Sequence, residues 1–243
     1  MTMLSVNINK LATLRNARSK NMPHVLYMTL EIIKYGAQGI TVHPRPDGRH
    51  ILKQDIYDLA DNITVDFNIE GYPDKNFLNL IKVIKPTQCT LVPDPPHVLT
   101  SNAGWEVSAN CSFLQMVVDK LHSYGSRVSI FIDPLQFTQE DMMALINTST
   151  DRVELYTEAY ADNYGLQDMY NILNVYKNLA VDLNQCGIAI NAGHDLNLHN
   201  LQYLIQEIPM ITEVSIGHAL ICDALTFGMR ETVAKYLDCL RSE

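Results

Sequence analysis

The chain lacks the cysteine pattern of a disulfide framework or a structural zinc site. Its five cysteines (Cys89, Cys111, Cys186, Cys222 and Cys239) are odd in number, scattered and never spaced C-x-x-C. That usage fits a reducing compartment, and each thiol is expected to act as a small buried hydrophobe. Also missing is an excess of positive charge: 18 Lys and Arg stand against 27 Asp and Glu, a formal net charge of −9. This argues against a nucleic-acid partner held by a general basic surface, whereas a local basic pocket for a phosphate stays compatible. No apolar run approaches membrane-spanning length, and the N-terminus has no basic-then-apolar leader. A cytoplasmic protein with no membrane partner is expected. Low-complexity segments and linker-like shifts are absent too, so residues 1–243 are expected to form a single domain.

What is present is alternation. Short apolar, β-branched runs predict strands at Leu4–Asn9, Ile40–His43, Thr64–Glu70 and Gln88–Pro93. Four more follow at Arg127–Asp133, Arg152–Thr157, Gly187–His194 and Glu213–His218. Helical periodicity falls between them, at Val25–Tyr35, Ile51–Asp61, Asp74–Lys85, Ser112–Tyr124, Thr138–Ile146, Gln167–Gln185 and Leu198–Ile205. Gly36, Pro86, Gly125 and Gly187 supply the stops, and a closing helix over Ala219–Leu240 is interrupted near Gly228. Eight evenly spaced β/α units predict an α/β fold closed as a parallel (β/α)8 TIM barrel.

In such a barrel the chemistry sits at the C-terminal strand ends. Those ends carry Asn7, Asn9, His43, Glu70, Asp133, Glu154, His194 and His218. Two loops carry signs of phosphate binding. Strand 2 runs into Pro-Arg-Pro-Asp-Gly-Arg-His, which sets Arg45, Arg49 and His50 beside His43, with Arg18 on the loop before. Strands 7 and 8 end in Gly193-His194 and Gly217-His218, with a helix expected shortly after each to offer free N–H groups to an anion. Glu154, flanked by Val153 and Leu155, is either turned to the site or paired structurally. The loop from Asp94 to Gly104 is too long for a mere connector and reads as a lid. Two alternatives stay open: a different barrel enzyme acting on a sugar phosphate, such as an isomerase or a metal-dependent aldolase with His43, Glu70, His194 and His218 as ligands, and a catalytically dead barrel kept as a binding or assembly scaffold.

Several of these pieces together carry a resemblance to the pyridoxine 5′-phosphate synthase family. They are Val6–Arg18, Gly39–Arg45, Arg49-His50, Asn68–Glu70, Leu91–Pro93, Phe131–Asp133, Asn191–His194 and Ile216–His218, in that order and spacing. The resemblance implies a TIM barrel with extra helices, condensing 1-deoxy-D-xylulose 5-phosphate with 3-amino-2-oxopropyl phosphate in vitamin B6 biosynthesis. It further implies a transferase without metal or organic cofactor and a homo-octamer built from dimers. By position, His43 is similar to an acid–base residue, Glu70 to a general base, His194 to a proton donor and Glu154 to a transition-state stabiliser. Asn7, Arg18, Asp195, Gly217 and His218 match positions that hold the aminoketone phosphate, while Asn9, Lys10, Arg45, His50 and Thr100 match those for the deoxyxylulose phosphate. The chain departs from the family pattern at Asn9-Lys10, where many members have Asp-His. It also departs at Asp195, a glycine in some relatives, and at Asp94-Pro-Pro-His, which lacks basic residues often found there.

Overall fold

The computed structural model describes residues 1–18, 20–93 and 103–241. Eight strands pair in parallel, each with its sequence neighbours, and β1 closes on β8. They are β1 Met3–Asn7, β2 Gly39–Val42, β3 Asp66–Gly71, β4 Gln88–Leu91, β5 Arg127–Ile132, β6 Arg152–Tyr156, β7 Ala189–Gly193 and β8 Ile211–Ile216. The helices over the first half are α1 Asn9–Asn16, α2 Val25–Lys34, α3 Lys53–Asn62, α4 Lys75–Ile84 and α5 Val107–Ser123. The second half adds α6 Gln139–Asn147, α7 Glu158–Asn163, α8 Met169–Gln185, α9 Leu201–Glu207, α10 His218–Phe227 and α11 Met229–Cys239. The expected TIM barrel is therefore observed.

Three local expectations need correcting. Asn9 does not extend the first strand but opens α1, because its neighbour Ile8 leaves the extended region at ψ 9°. A short helix, α7, follows β6 directly, ahead of the long helix expected there. After β7 the chain turns through residues 194–200 before α9, so of the two Gly-His strand ends only that of β8 runs straight into a helix. The lid expected over Asp94–Gly104 falls largely on residues outside those described. Beyond them Trp105 is anchored, its Nε1–H donating to Leu91 O at 3.0 Å and its backbone N–H to Phe131 O at 2.9 Å.

Alternation along the strands sorts the side chains into two shells. Leu4, Val6, Ile40, Val42, Ile69, Leu91, Ile130, Leu155 and Val214 join the apolar layer beneath the helices. The residues between them fill the barrel, and they are unusually polar: Ser5, Thr41, Asn68, Thr90, Ser129, Glu154 and Asn191 are all buried. At the strand starts Arg127 pairs with Asp66 at 2.8 Å, and Arg152 meets Glu213 at 3.3 Å and Asn191 Oδ1 at 2.9 Å. A charged layer thus closes the end opposite the C-terminal mouth.

The cysteines only partly behave as expected. All five are free thiols; Cys89 is buried, but Cys186 and Cys222 are exposed on helical surface. Burial pushes the Cys89 thiol up to about 12, which leaves almost no thiolate at neutral pH. A thiol-reactive reagent is expected to label Cys186 and Cys222 in the native protein and Cys89 only after unfolding, as peptide mapping would show. Native labelling of Cys89 would contradict its burial.

Candidate active site

The loop after β2 provides the first groups. His43 is buried just past the strand, its backbone N–H held by Asn9 Oδ1 at 3.0 Å. An aspartate could accept that same bond, so the Asn9 departure leaves this anchor intact. Arg45, two residues on, is 7% exposed. Arg15 on α1, which was not singled out from the sequence, braces the loop: it makes a two-pronged pair with Asp55 (2.9 Å for the Nη2–Oδ2 contact) and donates to His50 O at 3.2 Å. Asn16 Nδ2 donates to the same carbonyl at 2.8 Å. No local signal marks the Arg15–Asp55 pair, because its members lie forty residues apart.

Across from His43, Glu70 is next to last in β3, with Oε2 at 3.7 Å from His43 Nδ1. Burial holds the His43 imidazole well below the usual histidine range, reinforced by Arg45, His50, His194 and Arg49. Burial likewise pushes the Glu70 carboxyl well above the carboxylate range; Arg45 opposes this and Glu213 adds to it. The pair therefore rests as neutral imidazole beside a proton-holding carboxyl, which is an acid–base couple. His50 is half-buried and lowered to about 4 by burial first, then by Arg45, Arg49 and Lys10. Lys10 itself is exposed.

Glu154 enters from β6. It is 3% exposed, and burial raises its pKa, with Glu70 and Glu213 adding to the effect. A Cβ on Gly193 of β7 would meet Glu154 Oε1, so a larger residue there would force the carboxyl to move. His194 follows at φ 81° and packs its ring edge-on against Tyr156, 5.0 Å between centroids, and 5.2 Å from Phe131. Val92, Phe131 and Tyr156 form a small apolar cluster of their own that backs this imidazole. Asp195 is exposed at φ 57°, a left-handed conformation that glycine adopts freely and aspartate tolerates. This explains how both residue types can serve there.

The β8 end runs into a helix. Gly217 precedes α10, no side chain caps that helix, and a Cβ on Gly217 would stand 3.1 Å from Asn7 Cβ. His218 is exposed as the first helical residue, with Cys222 Sγ 3.7 Å from its Nε2. Arg18 lies elsewhere: it is exposed and lines a groove of about 670 Å³ with Lys20, His24 and Arg49. Thr100 lies outside the described residues. Among the described residues, no group of three His, Cys, Asp or Glu side chains is gathered as a metal site.

The family model of the pyridoxal phosphate biosynthesis protein PdxJ matches residues 4–242. Pyridoxine 5′-phosphate synthase of Porphyromonas gingivalis is 52% identical over 240 residues, covering 99% of both chains. That of Parabacteroides distasonis is 51% identical over 242 residues, covering 100% of both. Among solved structures, 3-keto-L-gulonate-6-phosphate decarboxylase from Vibrio cholerae superposes with a TM-score of 0.66 at 10% identity, covering 98% of this chain and 97% of that one. At that identity the likeness concerns the barrel alone.

Proposed function

The chain belongs to the PdxJ family and is an enzyme of pyridoxine biosynthesis, and from that premise we propose its substrates and the roles of its residues. It condenses 1-deoxy-D-xylulose 5-phosphate with 3-amino-2-oxopropyl phosphate, giving pyridoxine 5′-phosphate, inorganic phosphate and water. The observation that carries this reading is the His43–Glu70 couple, 3.7 Å apart at a barrel mouth beside the buried Arg45. Joining an amine to a ketone, expelling phosphate and closing an aromatic ring moves protons at several atoms, more than one side chain can reach.

His43 and Glu70 exchange protons with the substrates, His194 donates from the far side, and Glu154 stabilises developing charge. Arg45, His50, Asn9, Lys10 and Thr100 hold the deoxyxylulose phosphate; the burial of Arg45 supports this, since a desolvated guanidinium binds a phosphate oxygen strongly. Asn7, Asp195, Gly217 and His218 hold the other phosphate at the N-terminus of α10, where the backbone N–H groups and helix dipole favour an anion. Arg18 belongs to this second group by family position, yet its exposed groove lends no support within one chain. Residues 1–243 act as one catalytic unit, assembled as a cytoplasmic homo-octamer.

Incubating the purified protein with both phosphates, without added metal, should yield pyridoxine 5′-phosphate with one phosphate released per product. Absence of product at high enzyme concentration would refute the assignment. Light scattering tests the octamer independently.

A further inference from the structure

The loop that carries Arg45 is tied at both ends to one short helix. At its start Asn9, the first residue of α1, accepts the His43 backbone N–H through Oδ1 at 3.0 Å. At its end the last two residues of that helix, Arg15 and Asn16, converge on the His50 carbonyl. Arg15 Nη2 donates to it at 3.2 Å and Asn16 Nδ2 at 2.8 Å, and Nδ2 also lies 3.4 and 3.3 Å from the Gly48 and Arg49 carbonyls. The Asn16 amide has one orientation, because Oδ1 accepts Arg15 Nε–H at 3.0 Å and so turns Nδ2 to the loop. Arg15 is itself set by the Asp55 carboxylate, whose Oδ2 also accepts the Leu52 N–H at 2.7 Å at the start of α3. Between the two ties the Gly48 N–H donates to the Arg45 carbonyl at 2.9 Å, closing a turn on the arginine.

The same end of the loop fixes the His50 ring. The Ile51 backbone N–H donates to His50 Nδ1 at 2.9 Å, so in the neutral ring Nδ1 is the lone-pair nitrogen and Nε2 carries the hydrogen. Burial first, then Arg45, Arg49 and Lys10, lower this imidazole to about 4, so the neutral form is the one present at neutral pH. A ring N–H of fixed tautomer and a buried guanidinium are both donors that suit a phosphate oxygen. We propose that Arg15 and Asn16 are positioning residues for the deoxyxylulose phosphate: by holding the His50 carbonyl they set where the Arg45 guanidinium and the His50 Nε2–H stand to receive its phosphate. Neither residue touches the substrate. Donors ordered before binding cost nothing to order during it, so the clamp supplies affinity for one of the two substrates and leaves the chemical step alone. This deepens the proposed function, since it rests on Arg45 and His50 holding that phosphate.

The test uses the full chain. Arg15→Lys keeps a cation for Asp55 but loses the planar fork that reaches the carboxylate and the His50 carbonyl together. It should raise KM for deoxyxylulose phosphate about tenfold, with kcat and the KM for 3-amino-2-oxopropyl phosphate within about twofold of wild type. Asn16 is exposed, so Asn16→Ala keeps the fold and carries the test should the Arg15 variant not fold. It should raise the same KM about threefold. Hydrogen exchange supplies a readout without substrate: the Ile51 and Leu52 amides should exchange about tenfold faster in either variant, with the amides of β3 unchanged. A loss shared equally by the two substrates, or confined to kcat, would overturn the proposal, as would unchanged exchange at Ile51 and Leu52. Failure of the wild type to turn over would be a separate result, against the condensation itself. Calorimetry with deoxyxylulose phosphate alone would then read the same tenfold difference in affinity, and no binding to the wild type would overturn the positioning role as well.

Discussion

Glu70→Gln is expected to lower kcat by about 10³-fold, within the range general acid–base groups contribute, while making the protein more stable in mildly alkaline solution. Both effects have one cause. The Glu70 carboxyl is buried, so its folded pKa lies above its unfolded value, even though Arg45 pulls the other way. A group raised in this manner contributes stability that is complete below the unfolded pKa and is lost as pH rises through the folded one. Glutamine nearly keeps the shape and cannot ionise, so the variant should match wild type near about pH 5. At about pH 9 it should melt higher, by roughly 2–4 °C for each kcal/mol no longer lost. Wild-type turnover should rise with pH as Glu70 sheds its proton, and the variant should lack that rise. Melting curves and a pH–rate profile check both halves. Equal melting temperatures at alkaline pH, or a defect confined to KM, would remove Glu70 from this role.

The second large effect is expected from the smallest substitution. Gly193→Ala places a methyl group where Glu154 Oε1 lies, in the buried, close-packed interior of the barrel. The carboxyl must move or β7 must shift, and the Gly193 carbonyl is itself held by the backbone N–H and hydroxyl of Thr157. Overpacking of this kind costs about 2 kcal/mol, or roughly 4–8 °C in Tm for a chain of this size. Activity should fall about 10²-fold, because a displaced Glu154 no longer meets the reacting atoms. A double-mutant cycle with Glu154→Ala isolates the collision: removing the carboxyl should recover much of the lost stability. Additive losses would show that the two residues are not in conflict.

The proposed acid–base residues were legible because each stands at or near the end of a short apolar run, and parallel closure brings all such ends to one mouth. His43, Glu70 and His194 are of this kind, and the structure sets His43 against Glu70 at 3.7 Å, with His194 near enough to act electrostatically on His43. Other features were illegible. The buried Arg15 pair and the neutral resting state of Glu70 depend on which distant residues come into contact, and adjacent sequence carries no trace of that. Thr90 and Asn68 sit inside strands that read as uniformly buried, and periodicity gives no means of telling a polar barrel lining from an apolar one. The proposed second phosphate station was half legible: Gly217-His218 meets a helix start, whereas a Cβ on Gly193 would meet the Glu154 carboxyl.

The loop from Gly39 to His50 shows the division plainly. Sequence alone determined that a strand ends at His43 and that cations follow, because β-branched residues, prolines and a glycine act on the backbone within a few residues of themselves. It determined the eight-fold alternation as well, and with it the barrel. Only the tertiary structure decided that Arg45 is buried while Arg18 faces another groove, and that the interior is lined by buried hydroxyls and amides. It alone decided that His43 and Glu70 rest without charge. Desolvation and charge coupling act through space between strands, so they come into being only when the sheet closes.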